Sequence, residues 1–426
     1  MGADVDSNGR PVVVVTGIGV LTSLGVGVED NWGRLTAGQS GIRRITRFPL
    51  DGLRTTIAGT VDFVTSPEAP SVALAEEMAR RVAAEAIGGA GIGRAGDFPG
   101  PLFLALAPVE IEWSQRRALA EAAGLDGGAG YDALLSAAGQ TRFAPWHERF
   151  LFGSVAETLA EEFGTKGSPI ATSTACASGA TAIQLGVEAI RRGEADAALC
   201  VGTDASVNQE TLIRFSLLSA LSARNDDPQR AARPFSKDRD GFVMVEGAGA
   251  LVLESLAHAR ARGARILGMI EGCGEMADSF HRTRSSPDGK PIIACLRNAL
   301  ADAGLAPEEI GYINAHGTST PENDKMEWLG VSTVFGERAG QLPISSNKSM
   351  IGHTLSAAGA IEAVFTILSL LRGRLPPTIN YDTPDPALPL DCVPNIARDA
   401  SVAHAVSNSF GFGGQNVALV LGRPPA

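Results

Sequence analysis

The chain repeats itself, and the repeat limits what it can fold into. Gly241-Phe242 precedes Ala250-Leu-Val-Leu253, and Gly411-Phe412 precedes Ala418-Leu-Val-Leu421. Two further strands each run into glycines, Val12 to Gly19 near the N-terminus and Ile266 to Gly274 past the middle. Both halves therefore open and close alike, which fits two related βαβ-rich units better than unrelated domains. The 426 residues allow one large double-core fold or two to three ordinary domains. The division is placed between residues 264 and 265.

Within the first half, Ser173-Thr-Ala-Cys176-Ala-Ser-Gly179 lies between a short buried strand, Pro169–Thr172, and a helix over 180–192. Ile183, Val187 and Ile190 share one face of that helix, and Gly193 stops it. Another buried strand, Ala197–Val201, follows. Cys176 thus stands where a strand turns into a helix. The free N–H groups and positive dipole end of the helix favour a thiolate there. Its small neighbours leave room for a large group to reach sulfur, as a nucleophile on a sharp turn requires. Cys200, Cys273, Cys295 and Cys392 read as small buried hydrophobes.

Composition removes several function classes. Charged residues are 19%, aromatics 5%, and net charge is −11, which argues against nucleic acid as a partner. Five unpaired-looking cysteines indicate a reducing compartment, and a cytoplasmic location is expected. No CxxC or HExxH pattern points to zinc, and no metal is expected. The polar stretch Met1–Arg10 has no apolar core of the kind a signal peptide needs. The longest apolar run, Ala357 to Leu371, is short for a bilayer and carries Glu362, so no membrane insertion is expected. Gly17-Ile-Gly19-Val-Leu-Thr22 imitates a dinucleotide fingerprint but lacks its third glycine, and reads as a strand followed by a Gly-rich turn.

The remaining chain contributes helices over 30–37 and 74–86 and a strand over 102–106. Residues 107–160 differ in character. Amphipathic helices are predicted over 113–123, 131–138 and 155–163, with a loop over 124–130. This region carries no evident chemistry and suits a pocket cover or an interface.

The second half supplies partners for Cys176. His316 ends the strand Tyr312–Ala315, a position where α/β folds place sites. Ile344-Ser-Ser-Asn347 ends another strand, followed by Lys348 and His353. His353 precedes a long apolar helix, and a helix N-terminus disfavours imidazolium, leaving a neutral ring. Glu362 interrupts that helix's apolar face and needs a partner, for which Lys348 is the candidate. Asn408-Ser-Phe-Gly-Phe412-Gly-Gly414 is a glycine-dense loop whose N–H groups can face a reacting oxygen. A nucleophile with two neutral donors suits acyl transfer to sulfur followed by enolate stabilisation.

Four of these stretches resemble the signatures of β-ketoacyl-acyl-carrier-protein synthases, especially the type II elongating enzymes. They are Thr174-Ala-Cys176-Ala-Ser-Gly, Asn314-Ala-His316-Gly-Thr-Ser-Thr-Pro321, Lys348-Ser-Met-Ile-Gly-His353 and Asn408–Gly414. The resemblance implies the thiolase fold, two similar halves in a five-layered α-β-α-β-α core, and a homodimer. It implies that Cys176 carries the acyl chain while His316 and His353 stabilise the enolate of malonyl-acyl-carrier protein. Lys348 with Glu362 would hold the site's geometry and charge. The N–H groups of Cys176 and Phe412 would form the oxyanion hole, with Phe412 also gating acyl access. Thr318, Thr320 and Thr283 would contact the phosphopantetheine arm. No cofactor is implied, since decarboxylation drives the reaction. The partner is acyl carrier protein, an acidic protein, so docking needs a local basic patch, with Arg224, Arg80 and Arg81 as candidates.

The segment over 104–160 departs from the family. Ala107-Pro-Val-Glu-Ile-Glu-Trp113 and Phe143-Ala-Pro-Trp146-His-Glu-Arg149 stand where relatives build the dimer interface and the far wall of the acyl pocket. The implied activity is fatty-acid-type elongation, either general or specialised for long or unusual chains. A type II polyketide ketosynthase stays open as an alternative. A non-catalytic chain-length partner in a heterodimer is disfavoured by the presence of Cys176, His316 and His353 together. A degradative thiolase is disfavoured because the loop that would hold a second catalytic Cys reads Gly411-Phe-Gly-Gly414.

Overall fold

The computed structural model describes residues 4–65, 69–92, 96–124 and 130–425. Of the loop expected over 124–130, residues 125–129 lie outside the described residues. Among the described residues the frame is two five-stranded sheets of the same topology. The first holds β1 (Val13–Thr22), β2 (Leu102–Leu106), β3 (Ile170–Thr172), β4 (Ala197–Asp204) and β5 (Gly247–Ser255), in the order β3-β2-β4-β5-β1. The second holds β6 (Gly268–Ala277), β7 (Ile310–Asn314), β8 (Ile344–Ser345), β9 (His404–Phe410) and β10 (Gln415–Gly422), in the order β8-β7-β9-β10-β6. In both sheets the first three strands of that order run parallel and the last two pairings are antiparallel. The echo in the sequence is therefore an echo in topology. The sheets join edge to edge, where Val13–Val15 of β1 pairs antiparallel with Gly268–Ile270 of β6.

Helices α1 (Ser71–Ala90), α2 (Ser178–Arg191), α3 (Lys290–Ala303), α4 (Pro321–Phe335) and α5 (Ala358–Arg372) complete the layers. α1 covers the outer face of the first sheet, and α3 and α4 cover that of the second. α2 and α5 pack against each other between the sheets. Because α5 has protein on every side it is apolar nearly all round, and Ala358 through Leu370 are all buried. This stretch, with the turn before it, is long and apolar enough to cross a membrane, yet here it forms the centre of the core.

Glycines set how closely the layers approach. Gly17 and Gly19 are not in a turn, as the sequence suggests, but inside β1. A Cβ at Gly17 would lie 2.0 Å from the Ala86 carbonyl oxygen, and one at Gly19 2.1 Å from that of Val82. They let α1 lie against the strand, a packing reason for the fingerprint-like pattern. Between the sheets, a Cβ at Gly179 would lie 2.5 Å from the Ala360 nitrogen, and one at Gly359 2.4 Å from the Ala180 nitrogen. α2 and α5 thus touch backbone to backbone, next to the residues that matter below.

The divergent segment forms helices over Trp113–Ala122, Tyr131–Ala138 and Ser154–Phe163, as expected, and one that was not, Ala144–Arg149. That short helix is started by Pro145 in its first turn. Trp113, Tyr131, Leu135 and Leu151 are exposed on this segment.

Candidate active site

Cys176 sits two residues before α2 on a tight turn. Ala175 takes the left-handed conformation at φ 50°, which costs a non-glycine residue energy and has to be held by its surroundings. Ser178 supplies that hold: its Oγ accepts the Thr174 N–H at 2.8 Å and donates to the Ala175 carbonyl at 2.6 Å. The Phe412 N–H donates to the Cys176 sulfur, bringing in the turn between β9 and β10. Gly411 is required there, because a Cβ would fall 2.9 Å from the Thr174 oxygen and 3.3 Å from the Cys176 nitrogen.

His316 follows β7. Its N–H and that of Gly317 donate to the two carboxylate oxygens of Glu327 at 2.9 and 2.7 Å. Asn408 Nδ2 donates to the same carboxylate at 3.0 Å. Glu327, on α4 and fully buried, therefore ties the His316 turn to β9. Sequence reasoning missed it, although an acid one helical turn after Asp324, on a helix that directly follows the His316 loop, was a signal within reach.

His353 is pinned as a strand-like bridge beside Phe242–Val245. Its N–H donates to the Val243 carbonyl at 2.8 Å, and its carbonyl accepts from Val245 N–H at 3.0 Å. Phe242 meets its ring edge-on at 5.3 Å.

These constraints bring the three side chains together. His353 Nε2 lies 3.0 Å from Cys176 Sγ. The His316 and His353 rings stand edge to face, 5.2 Å apart. One donor atom from each of Cys176, His316 and His353 falls within 4.8 Å of the others. Lys348 Nζ is 3.3 Å from His316 Nδ1 and forms an ion pair with Glu362. Lys348 and Glu362 are 2% and 1% exposed, so each depends on the other to remain charged.

Burial governs the protonation states. It pushes both imidazoles well below their ordinary range, and the Lys348 ammonium pushes the same way. Both rings are neutral at neutral pH. Lys348 offers only N–H donors, so the facing Nδ1 of His316 is the acceptor and the ring proton sits on Nε2. Burial raises Glu362 to about 7, with Lys348 holding it down. The Cys176 thiol is pushed up to about 11, again by burial, against the pull of the Phe412 N–H and Lys348. Desolvation of the buried sulfur thus opposes the thiolate that the helix N-terminus favours.

A cavity of about 900 Å³ opens onto Cys176. Thr318, Thr320 and Thr283 line it, with the Thr318 and Thr320 hydroxyls 2.8 Å apart. Phe412 lines it too, its ring 6.4 Å from that of Phe215. None of the three arginines proposed for docking lies on this cavity. Arg224 pairs with Asp238 at 3.0 Å and Asp240 at 3.8 Å, and Arg80 and Arg81 both pair with Glu77 at 2.7 Å.

Residues 10–259 match the β-ketoacyl synthase N-terminal domain, and residues 267–382 match the β-ketoacyl synthase C-terminal domain. The chain belongs to the β-ketoacyl synthase family. It is 38% identical to 3-oxoacyl-[acyl-carrier-protein] synthase 2 of Coxiella burnetii, over 96% of this chain and 98% of that protein. It is 37% identical to the tetracenomycin polyketide synthase ketoacyl synthase alpha subunit of Streptomyces glaucescens, over 97% of each. Among solved structures, a type II polyketide acyl-carrier protein in complex with its ketosynthase matches at TM-score 0.85 and 33% identity, covering 97% of this chain and all 100% of that one. These ketosynthase neighbours share the thiolase fold and its paired halves.

Proposed function

We propose that this β-ketoacyl synthase joins a Cys176-bound acyl chain to malonyl-acyl-carrier protein, releasing CO2 and giving 3-oxoacyl-acyl-carrier protein in fatty-acid-type elongation. The observation that carries the reading is the 3.0 Å approach of His353 Nε2 to Cys176 Sγ beside a second neutral histidine, His316, that Lys348 orients.

In the first half-reaction the Cys176 sulfur attacks the acyl thioester. Its proton passes to the departing pantetheine sulfur, and His353 Nε2–H faces the Cys176 sulfur at 3.0 Å. The N–H groups of Cys176 and Phe412 hold the oxyanion. Malonyl-acyl-carrier protein then binds. Loss of CO2 leaves its electron pair as an enolate, whose oxygen accepts hydrogen bonds from His316 and His353. Neutral donors suit this step, because an imidazolium would hold the malonyl carboxylate in its ground state. The enolate carbon attacks the Cys176 thioester, a C–C bond forms, the C–S bond breaks, and sulfur leaves as a thiolate that takes a proton from solvent. Thr318, Thr320 and Thr283 would guide the pantetheine arm, and Phe412 would gate the acyl branch of the cavity. The carrier arm's thiol chemistry calls for no further cofactor.

The partner is an acyl carrier protein, a reading supported by the neighbouring ketosynthase bound to one. A homodimer is supported by the exposed apolar residues of the divergent segment and by the exposed Ile170 on the edge strand β3. The division at residues 264 and 265 is supported by the shared strand order, and a cytoplasmic site by five free cysteines. The similarity to a polyketide ketosynthase subunit favours a second reading, condensation of polyketide chains by the same chemistry. Incubation with acyl- and malonyl-acyl-carrier protein should release CO2 and yield a product two carbons longer. Cys176→Ala should abolish it, and normal product from that variant would refute the mechanism.

A further inference from the structure

A net charge of −11 sets this protein against an acidic carrier, and the arginines singled out from sequence are already engaged in ion pairs, Arg80 and Arg81 with Glu77 and Arg224 with Asp238 and Asp240. The cationic contact has to come from elsewhere. Arg282 and Arg284 both line the cavity that reaches Cys176, flanking Thr283. Both are exposed, and neither guanidinium has an ion-pair partner among the described residues.

Their segment is held firmly. The Asp278 carboxylate accepts the N–H groups of Phe280 at 3.0 Å and Ser286 at 2.7 Å, closing the loop between them. The loop is fastened to the turn that carries Phe412: Gly413 N–H donates to the Arg282 carbonyl at 2.8 Å, and Asp278 N–H to the Gly414 carbonyl at 2.7 Å. Gly414 allows this contact, since a Cβ would lie 1.9 Å from the Asp278 oxygen. Two unneutralised guanidinium groups thus stand in the cavity wall, on backbone hydrogen-bonded to the turn beside the nucleophile.

The substrate of the proposed reaction arrives on an arm that enters by its thiol and trails a phosphodiester. Guanidinium is the side chain best matched to phosphate, by charge and by its planar donors. We infer that Arg282 and Arg284 form the phosphate-binding rim of the cavity and seat the phosphodiester of the carrier's pantetheine arm. The inference rests on the proposed condensing activity and adds the residues that select its phosphorylated arm.

The test compares acyl-phosphopantetheine with acyl-pantetheine, neither attached to protein, as donors to Cys176, followed by intact mass. The wild-type enzyme should favour the phosphorylated donor by about tenfold in kcat/KM, the scale of a charged hydrogen bond at a partly solvated site. Arg282→Ala combined with Arg284→Ala should bring that ratio close to one. Arg297→Ala, which removes an exposed arginine away from the cavity with no ion-pair partner among the described residues, should keep the wild-type ratio. An unchanged ratio in the double variant, or no phosphate preference in the wild type, overturns the assignment. Acylation of Cys176 by acyl-pantetheine reports separately on the active-site reading, since that donor carries no phosphate. Failure there would implicate the chemistry rather than the rim.

Discussion

Gly359→Ala should damage both stability and catalysis although the residue touches no substrate. A methyl there would lie 2.4 Å from the Ala180 nitrogen, 2.9 Å from the Ala180 Cβ and 3.0 Å from Ser409 Oγ. Ordinary contact begins near 3.4 Å, so α2 and α5 must separate by about 1 Å. The nearest obstacle is backbone, and no rotamer change relieves it. Alanine gains about 1 kcal/mol over glycine as a helix former. Overpacking costs about 1–3 kcal/mol, and the immobile neighbour puts this site in the upper part of that range. A net loss of about 1–2 kcal/mol follows. Cys176 sits on the turn that leads directly into α2, so the same shift stretches the 3.0 Å contact with His353. A misplacement of about 1 Å in a reacting pair costs roughly 100-fold in rate. Denaturant midpoints and the rate of Cys176 acylation measure the two effects. Gly33→Ala, in the helix Val28–Thr36 with nothing within 4 Å of the added methyl, should be neutral or stabilising. Gly359→Ala that keeps both its midpoint and its acylation rate would refute the claim that α2–α5 contact positions the nucleophile.

The protonation states make a second prediction. With the free Cys176 thiol near 11, its alkylation by iodoacetamide should rise about tenfold per pH unit from 7 to 10, and a plateau by pH 7 would show a thiolate at rest. His316→Ala and His353→Ala should each lose malonyl decarboxylation more than Cys176 acylation, measured as CO2 release against thioester formation. Equal loss of both steps would contradict their roles as enolate donors. Because burial holds both imidazoles well below their usual range, His316 and His353 should keep the ring ¹⁵N shifts of neutral imidazole as pH drops from 7.5 to 6.5, and the imidazolium signature in that range would indicate an exposed ring.

The site was legible from sequence where its residues were placed by the chain itself. Cys176 announced itself by a strand, small residues and a helix in succession, and Glu362 by a charge on an apolar face awaiting Lys348. Properties that depend on distant neighbours were not legible. The pull of the helix end on Cys176 is local and readable, whereas the desolvation that opposes it comes from the whole cavity. Gly17 and Gly19 looked like a turn because the helix that fills their missing side chains begins some fifty residues later. Glu327 was overlooked because two of its three donors are backbone N–H groups, which any residue has, and the third, Asn408, lies 81 residues away in sequence. Arg224 looked available for docking because Asp238 and Asp240 meet it only through the fold, whereas Glu77, three and four residues before Arg80 and Arg81 on one helix, was a readable partner. The pairing of two related halves followed from the repeated words at their ends, while the strand order did not, and the helix Ala144–Arg149 had no periodic signal to mark it.

The central claim is that Cys176 carries the chain and yields it to malonyl-derived carbon. Intact mass of the protein after incubation with acyl-acyl-carrier proteins of increasing chain length, and again after malonyl-acyl-carrier protein, tests it most directly. The account predicts one acyl adduct, located on Cys176, which disappears on adding malonyl-acyl-carrier protein as a 3-oxoacyl product two carbons longer appears. An adduct on another residue, or an adduct on Cys176 that malonyl-acyl-carrier protein leaves in place, would contradict it.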